Sequence, residues 1–429
     1  VGSGIAGLGC AYFLRQHAQI TLFEKNNDIG GHTNTVTVER QGLPQPIDTG
    51  FMVFNHQTYP NLLRFFNDLQ IPTVATDMSF SVQHRARHLE WNGRGWNQIF
   101  GQRRNLLNPG FWQMLFSLKR FCEEAVWAKD EPQYDHLTIE AFAQERAYGE
   151  DFLSLFLLPM SAAIWSTDPE RMRAFPIGAL LRFFHNHGFL GMDKHLQWYT
   201  VQGGAQTYVR KLLPMLEADG TQVHRHRGVR QVIQSDQSAT VVLDDGTSEV
   251  FDKVIMACHA DEALALLAQP TELQRQLLSP FTYEQNTATL HTDSSVLPER
   301  RRVWAAWNYR LSPDVNHPHG ELEASTHYWM NRLQHIPGPF QFVVSINGQA
   351  LIDPSKVLKT IHYTHPRFTV DAIAAQPRLP DLNSQNTYQS VYFCGSYFRY
   401  GFHEDAFTSA LHLSRIIRQD AALWATPSI

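Results

Sequence analysis

The chain has 429 residues, a net charge of −5 at pH 7, 43% hydrophobic and 18% charged residues. That length exceeds a usual single domain and predicts two intertwined domains with ample surface to bury. The acidic balance and the lack of any lysine- or arginine-rich run argue against nucleic acid as a partner. Cys10, Cys122, Cys258 and Cys394 are dispersed without a CxxC pair, which argues against a disulfide framework or thiolate zinc site and for a reducing cytoplasm.

The first predicted unit is a strand–turn–helix. Val1 sits where the last residue of a first strand should be, which predicts that several residues precede it. Gly2-Ser3-Gly4-Ile5-Ala6-Gly7 follows, with Ala6, Leu8, Ala11 and Leu14 at helical spacing. Gly2 suits the tight turn, Gly4 lets backbone approach a pyrophosphate on the helix N-terminus, and Gly7 lets helix pack on strand. A second strand, Ile20-Thr21-Leu22-Phe23, ends in Glu24, seventeen residues past Gly7, where a carboxylate takes ribose hydroxyls. The unit reads as a dinucleotide binder.

After Glu24 comes Lys25-Asn26-Asn27-Asp28-Ile29-Gly30-Gly31-His32-Thr33. This stretch resembles the E-x(5)-GG-[RH]-x-x-[TS] extension of the flavin amine oxidase, protoporphyrinogen oxidase and phytoene desaturase superfamily, in which the dinucleotide is FAD. The resemblance continues in chain order. Asp48-Thr49-Gly50-Phe51-Met52 occupies the place where the family's chain passes the flavin ring. Val201-Gln202-Gly203-Gly204-Ala205 resembles its second GG segment, and the strand expected over 223–232 passes Val229, where the family's backbone clamps adenine. Phe251 to His259, with Cys258, resembles the later nucleotide-domain strand. Val391 to Ser396 resembles the family's strand-then-AGD segment, carrying Gly395 and Ser396. Gly401-Phe402-His403-Glu404-Asp405-Ala406 resembles its flavin-facing helix start, with a helix expected from Glu404 to about Arg418.

These likenesses imply an α/β, amine-oxidase-like fold: a Rossmann-like FAD-binding domain from residues 1–75, 200–275 and 385–429, interleaved with an α+β substrate domain from 76–199 and 276–384. The first part of the substrate domain is helical in pattern. The second reads as an antiparallel sheet over 287–292, 302–309, 327–331 and 340–346.

A closer resemblance, to the predicted NAD/FAD-binding proteins associated with cyclopropane fatty acid synthases, is carried by Trp304 to Tyr309, Tyr328 to Gln334 and Gly401 to Asp405. It implies chemistry on methylated or cyclopropanated acyl chains and a methyltransferase partner. The leading reading is an FAD-dependent oxidoreductase that oxidises or desaturates such a lipid-like chain by hydride transfer to flavin N5. Two alternatives stay open: an amine or porphyrinogen oxidase producing hydrogen peroxide, and a non-catalytic flavoprotein accessory to a lipid methyltransferase. Amine oxidases typically carry a lysine in the substrate-domain sheet, and Tyr283 to Thr292 has none. Phe183, Phe184, Phe189 and Leu190, before Trp198, suit a lipid or a buried core equally.

Between Trp91 and Cys122 five basic residues, Arg94, Arg103, Arg104, Lys119 and Arg120, interleave with aromatics and no acid. That pattern suits peripheral contact with an anionic membrane or an amphipathic helix pair closing the substrate domain. No stretch is long enough to span a bilayer; the longest, Phe152 to Trp165, contains Pro159. His185-x-His187, His224-x-His226 and His362-x-x-His365 lack a third ligand at zinc spacing, so no metal site is expected and these read as surface or satisfied histidines. His403 differs, because the family's helix start places it by the flavin. Either its side chain moves a proton near neutral pH, or only its backbone matters. Phe402 matches an aromatic that forms one wall of a substrate cage in amine oxidases.

Overall fold

The structure, a computed structural model, describes residues 1–40, 42–190, 196–313, 322–385 and 387–424. The last residues of the expected FAD-binding domain, 425–429, lie outside that set. Val1 and Gly2 act as a short central strand. Gly2 N donates to Phe23 O at 3.0 Å, and Ala257 N donates to Val1 O at 2.9 Å. They join two parallel pairs, Thr21–Phe23 with Gln222–His224 and Val254–Met256 with Val391–Phe393. Five remote stretches thus form one parallel layer.

The helix Ile5–Leu14 is buried along its whole length. Its sequence, IAGLGCAYFL, is apolar on every side, as a helix enclosed on all faces requires. It packs against His403–Arg418, which starts one residue before the position expected. On the strand side of the first helix, Cys10 Sγ and Cys394 Sγ, the latter just after Val391–Phe393, approach to 3.6 Å, a neighbourhood that their sequence dispersal hides.

The single strand expected over 223–232 is two. Gln222–His224 belongs to the parallel layer and Val229–Gln234 to a three-stranded antiparallel sheet with Ala239–Leu243 and Ser248–Phe251. Between them His226 takes a left-handed φ of 54°, so the chain turns from one sheet to the other.

A seven-stranded sheet follows the order Val357–Arg367, Thr282–His291, Val343–Ile346, Leu322–Trp329, Trp307–Pro313, Phe80–His84, Leu89–Asn92. All neighbours are antiparallel except Trp307–Pro313 with Phe80–His84. The last two strands come from a part expected to be helical. The strand expected from residue 302 begins only at Trp307, because Arg301–Val303 form a 3-10 turn and the Asn308 side chain holds Ala305 through both its N–H and C=O. The strand expected to reach residue 331 stops at Trp329, where Met330–Leu333 coil so that Met330 and Leu333 both reach the core. One sheet face packs Leu290, Val344 and Ile346 against Ile47 and Met52. On the other face His291 Nε2 donates to Ser345 Oγ at 2.7 Å, Ser345 Oγ donates to His327 Nδ1 at 2.6 Å, and His327 Nε2 donates to Ser325 Oγ at 3.0 Å. Asp293 N donates to His291 Nδ1, which sets this direction.

Helices Pro109–Ala128, Ile139–Glu145, Leu158–Trp165 and Ile177–Asn186 surround a core containing Phe111, Phe121, Phe142, Phe152 and Phe184. Before Leu158–Trp165 the backbone widens into a π-turn at Leu153–Leu157. Pro159 has no N–H to offer Leu155 O, and the Trp91 indole donates to that carbonyl instead at 3.2 Å. Trp91, Phe100 and Phe111 are therefore core residues, leaving only part of the 91–122 stretch as exposed apolar surface. Among the described residues no helix is long and apolar enough to cross a membrane.

Candidate active site

A cavity of about 1290 Å³ runs from the glycine turns to a cluster of aromatic side chains. This exceeds the usual range for a single drug-sized ligand, about 300–1,000 Å³. At one end lie Gly2, Ser3, Gly4 and Ala6. Gly2 has φ +96°, and a Cβ there would come within 2.8 Å of Ala257 O. Gly4 meets nothing, so its Cβ position is open space. Gly7 does not line the cavity; a Cβ on it would overlap the Gly2 carbonyl, so its part is helix-to-strand packing. The helix Ile5–Leu14 has no side-chain cap and no acid in its first turn, which leaves its amide end suited to an anion.

Glu24 Oε2 accepts from Ser3 Oγ at 2.6 Å and from Ser3 N at 3.2 Å, while Oε1 accepts from Asn26 N at 2.9 Å. The second glycine pair pairs back-to-back with the first through a parallel bridge between Gly4 and Gly30, and a Cβ on Gly31 would come 3.2 Å from Gly4 Cα. Lys25 borders the cavity and pairs with Glu262 at 2.8 Å. Val229, Cys258, Gly395, Ser396 and Ala406 also line it. Burial pushes the Cys258 thiol up to about 12, so it is neutral.

His32 projects its ring onto Tyr363, with centroids 4.8 Å apart, and lies 5.3 Å from His365 and 6.2 Å from His259. Burial first, and then the imidazoles of His365, His259 and His403, hold it well below the ordinary histidine range. Its Nε2 is buried without a hydrogen-bond partner. Of the histidines paired in the sequence, His365 thus joins His32 and His259 on one wall, although no group of three or more potential ligands is placed to hold a metal ion among the described residues. An orphaned imidazole nitrogen beside two glycine turns and an open helix N-terminus fits a dinucleotide diphosphate.

At the middle of the cavity, Gly50 passes so close to His32 that a Cβ would overlap its carbonyl, and Phe51 and Met52 follow along the wall. Thr33 Oγ1 lies 2.9 Å from His403 Nε2 and makes a second hydrogen bond with the Tyr208 hydroxyl. Burial holds His403 down to about 3, so its ring does not titrate near neutrality as the sequence suggested. Asp405 does not reach the cavity. Its Oδ2 accepts from Phe402 N at 3.0 Å and Tyr400 N at 3.2 Å, shaping the turn that presents Phe402. Asp48, which the family pattern left without a role, ties the second GG segment down: it accepts from Thr35 Oγ1 at 2.6 Å, Ala205 N at 2.8 Å and Gln334 Nε2 at 3.0 Å. Burial nevertheless raises it to about 7.

The far end is apolar. Phe402 lies 5.2 Å from Phe183, and His187 stacks on Phe183 at 3.9 Å with Trp198 parallel to it at 6.4 Å. Tyr400 also lines this end, and Tyr397, though buried, borders the cavity too. His187 was missed, because its H-x-H spacing says nothing about the long return of the chain that brings Phe402 beside it.

A profile of the family described as flavin containing amine oxidoreductase matches residues 5–417. The structure resembles putrescine oxidase bound to putrescine, at 13% identity and a TM-score of 0.66 over 97% of this chain and 98% of that one. It also resembles a CLA-producing fatty acid isomerase from P. acnes, at 13% and 0.67 over 98% and 97%. Cyclohexylamine oxidase from Brevibacterium oxydans IH-35A gives 15% and 0.65 over 97% and 98%. No curated protein matches the sequence.

Proposed function

Because the chain belongs to the flavin-containing amine oxidoreductases, with FAD as its cofactor, we propose that it oxidises or desaturates an apolar acyl-type chain. The observation that carries this reading is the composition of the cavity's far end. The acids lining the cavity are Glu24, Asp28 and Glu262, all beside the glycine turns, and the one lysine there is Lys25. Among the described residues that line the cavity, no acid, lysine or arginine lies around Phe183, Trp198 and Phe402. An apolar chain gains by leaving water for such a chamber, at about 0.8 kcal/mol per methylene. A fatty acid isomerase on a similar fold supports the same class of ligand.

The chain's own residues would hold the cofactor through Gly2, Gly4, Gly30 and Gly31 at the diphosphate, Glu24 at the ribose and Gly50 beside the ring system. Bound FAD supplies a two-electron acceptor. The N-terminus of His403–Arg418 carries partial positive charge and would stabilise negative charge on the reduced cofactor. Phe402, Phe183 and Trp198 exclude water and fix the chain's approach. Peripheral membrane contact belongs to the same proposal. Leu107 is 88% exposed, Phe116 67% and Trp96 65%, and Arg103 and Arg104 beside them have no ion pair among the described residues. Arg94, Lys119 and Arg120 are paired, with Asp77, Glu123 and Glu124.

The test is anaerobic incubation of the yellow protein with lipid extracts, with and without cyclopropanated or methylated chains, following loss of flavin absorbance. Bleaching by modified lipid alone supports the proposal. Bleaching by amines instead would move the enzyme to the amine oxidases. Reduction by dithionite but by no lipid or amine, with a methyltransferase co-purifying, would make it an accessory flavoprotein.

A further inference from the structure

His187 ends the helix Ile177–Asn186 and its ring is 7% exposed, on the chamber wall. Its Nδ1 lies 3.0 Å from Phe183 O. A carbonyl oxygen only accepts, so Nδ1 carries the hydrogen and Nε2 is left with a bare lone pair. No described residue donates to that nitrogen. Around it stand the rings of Phe183, Phe189, Trp198, Tyr59 and Phe402. Burial, opposed by the Phe183 carbonyl and aided by Arg399, holds the imidazole down to about 4, so the lone pair is free at neutral pH.

An acceptor on the chamber wall loses its water when an apolar ligand fills the chamber, so a ligand that supplies a donor is favoured over one that does not. The hydroxyls of Tyr59 and Tyr400, on the same chamber, rotate and serve as donor or acceptor. Nε2 of His187 can only accept.

Resting on the reading of this chamber as the substrate site, we infer that His187 is its polar anchor: the ligand is an apolar chain bearing one O–H or N–H donor, held by Nε2 of His187 between Phe183 and Phe402. A bare hydrocarbon segment leaves that nitrogen unpaired. The anchor fixes how far along the chain the oxidised carbon lies from its donor group.

The experiment uses the FAD-loaded protein and four probes of similar length: 1-octanol, its isomer 1-methoxyheptane, octane and 1-octylamine. Binding is followed by calorimetry and by the visible difference spectrum of the flavin, in the wild type, His187→Phe and His187→Gln. The expected result is that 1-octanol binds at least about tenfold more tightly than its ether isomer. That preference disappears in His187→Phe, which binds octane at least as tightly as the wild type because no nitrogen is left unpaired, and partly returns in His187→Gln, whose amide oxygen accepts. A 1-octylamine advantage measured above its own pKa, with none for 1-octanol, identifies the donor as N–H. Equal binding of alcohol and ether in the wild type with no advantage for 1-octylamine either, or a preference that survives in His187→Phe, overturns the anchor while leaving the apolar chamber intact. Failure of octane itself to bind overturns the chamber reading and the anchor with it.

Discussion

The imidazole of His403 stacks on the ring of Phe51, with centroids 3.8 Å apart and an interplanar angle of 14°. Together with the Thr33 hydroxyl on its Nε2, this stack buries the ring and keeps it neutral, at about 3. In an NMR titration of the cofactor-loaded protein, the His403 ring resonance, assigned by its loss in His403→Asn, should keep its neutral position from about pH 5 to about pH 8. A midpoint within that range would restore the side chain as a proton carrier. His403→Asn should also lower stability by about 1–3 kcal/mol through the lost stack and the lost Thr33 hydrogen bond, read from denaturant unfolding.

Gly4 and Gly7 separate cofactor binding from folding. Gly4→Val places its side chain in open cavity, so the variant should fold with a near-normal Tm and purify colourless. Gly7→Val overlaps the Gly2 carbonyl and should fail to fold or lose about 3 kcal/mol or more. Retention of FAD by folded Gly4→Val would refute the assignment of this turn to the diphosphate.

Stability should fall in acid. His291 is held down to about 4 and His327 further, in each case by burial. His187 and His365 are also held to about 4. The folded state therefore binds fewer protons than the unfolded chain, whose imidazoles titrate near about 6.5. Their contribution is complete above that value and is lost as pH drops towards 4. Asp48, Glu404 and Asp405 act in the opposite sense, since burial raises them to about 7, 7 and 6, and their contribution fades as pH rises through those values. The histidines outnumber the carboxyls, so unfolding followed by circular dichroism should show Tm falling from neutral pH to about 4.5. Ser345→Ala should lower Tm at neutral pH by leaving His327 Nδ1 without its donor.

If the exposed apolar patch meets lipid, Leu107→Asp with Phe116→Asp should abolish sedimentation with phosphatidylglycerol vesicles and leave the visible flavin spectrum unchanged. Arg103→Gln with Arg104→Gln should weaken binding and flatten its salt dependence. Equal sedimentation of all variants, or none by the wild type, would rule out this surface as the contact.

The glycine turns, Glu24 and the flavin-facing helix start were legible in the sequence because their constraints are local: a left-handed φ, a close backbone approach and a helix N-terminus are each set within a few residues. Those motifs gave a dinucleotide binder, and FAD followed from the family they resemble. Strand limits around Trp307 and Trp329 were less legible, since they depend on Asn308 gripping Ala305 and on Met330 and Leu333 reaching the core. Tertiary structure alone decided the rest. Trp91 lies in the core because Pro159 frees the Leu155 carbonyl for it, and His32, His259 and His365 share a wall because three separate elements converge there. His187 meets Phe402 only because a helix from the middle of the chain packs against the start of the last one. Residue types announce local backbone geometry, whereas a site assembled across hundreds of residues depends on packing that no short stretch encodes.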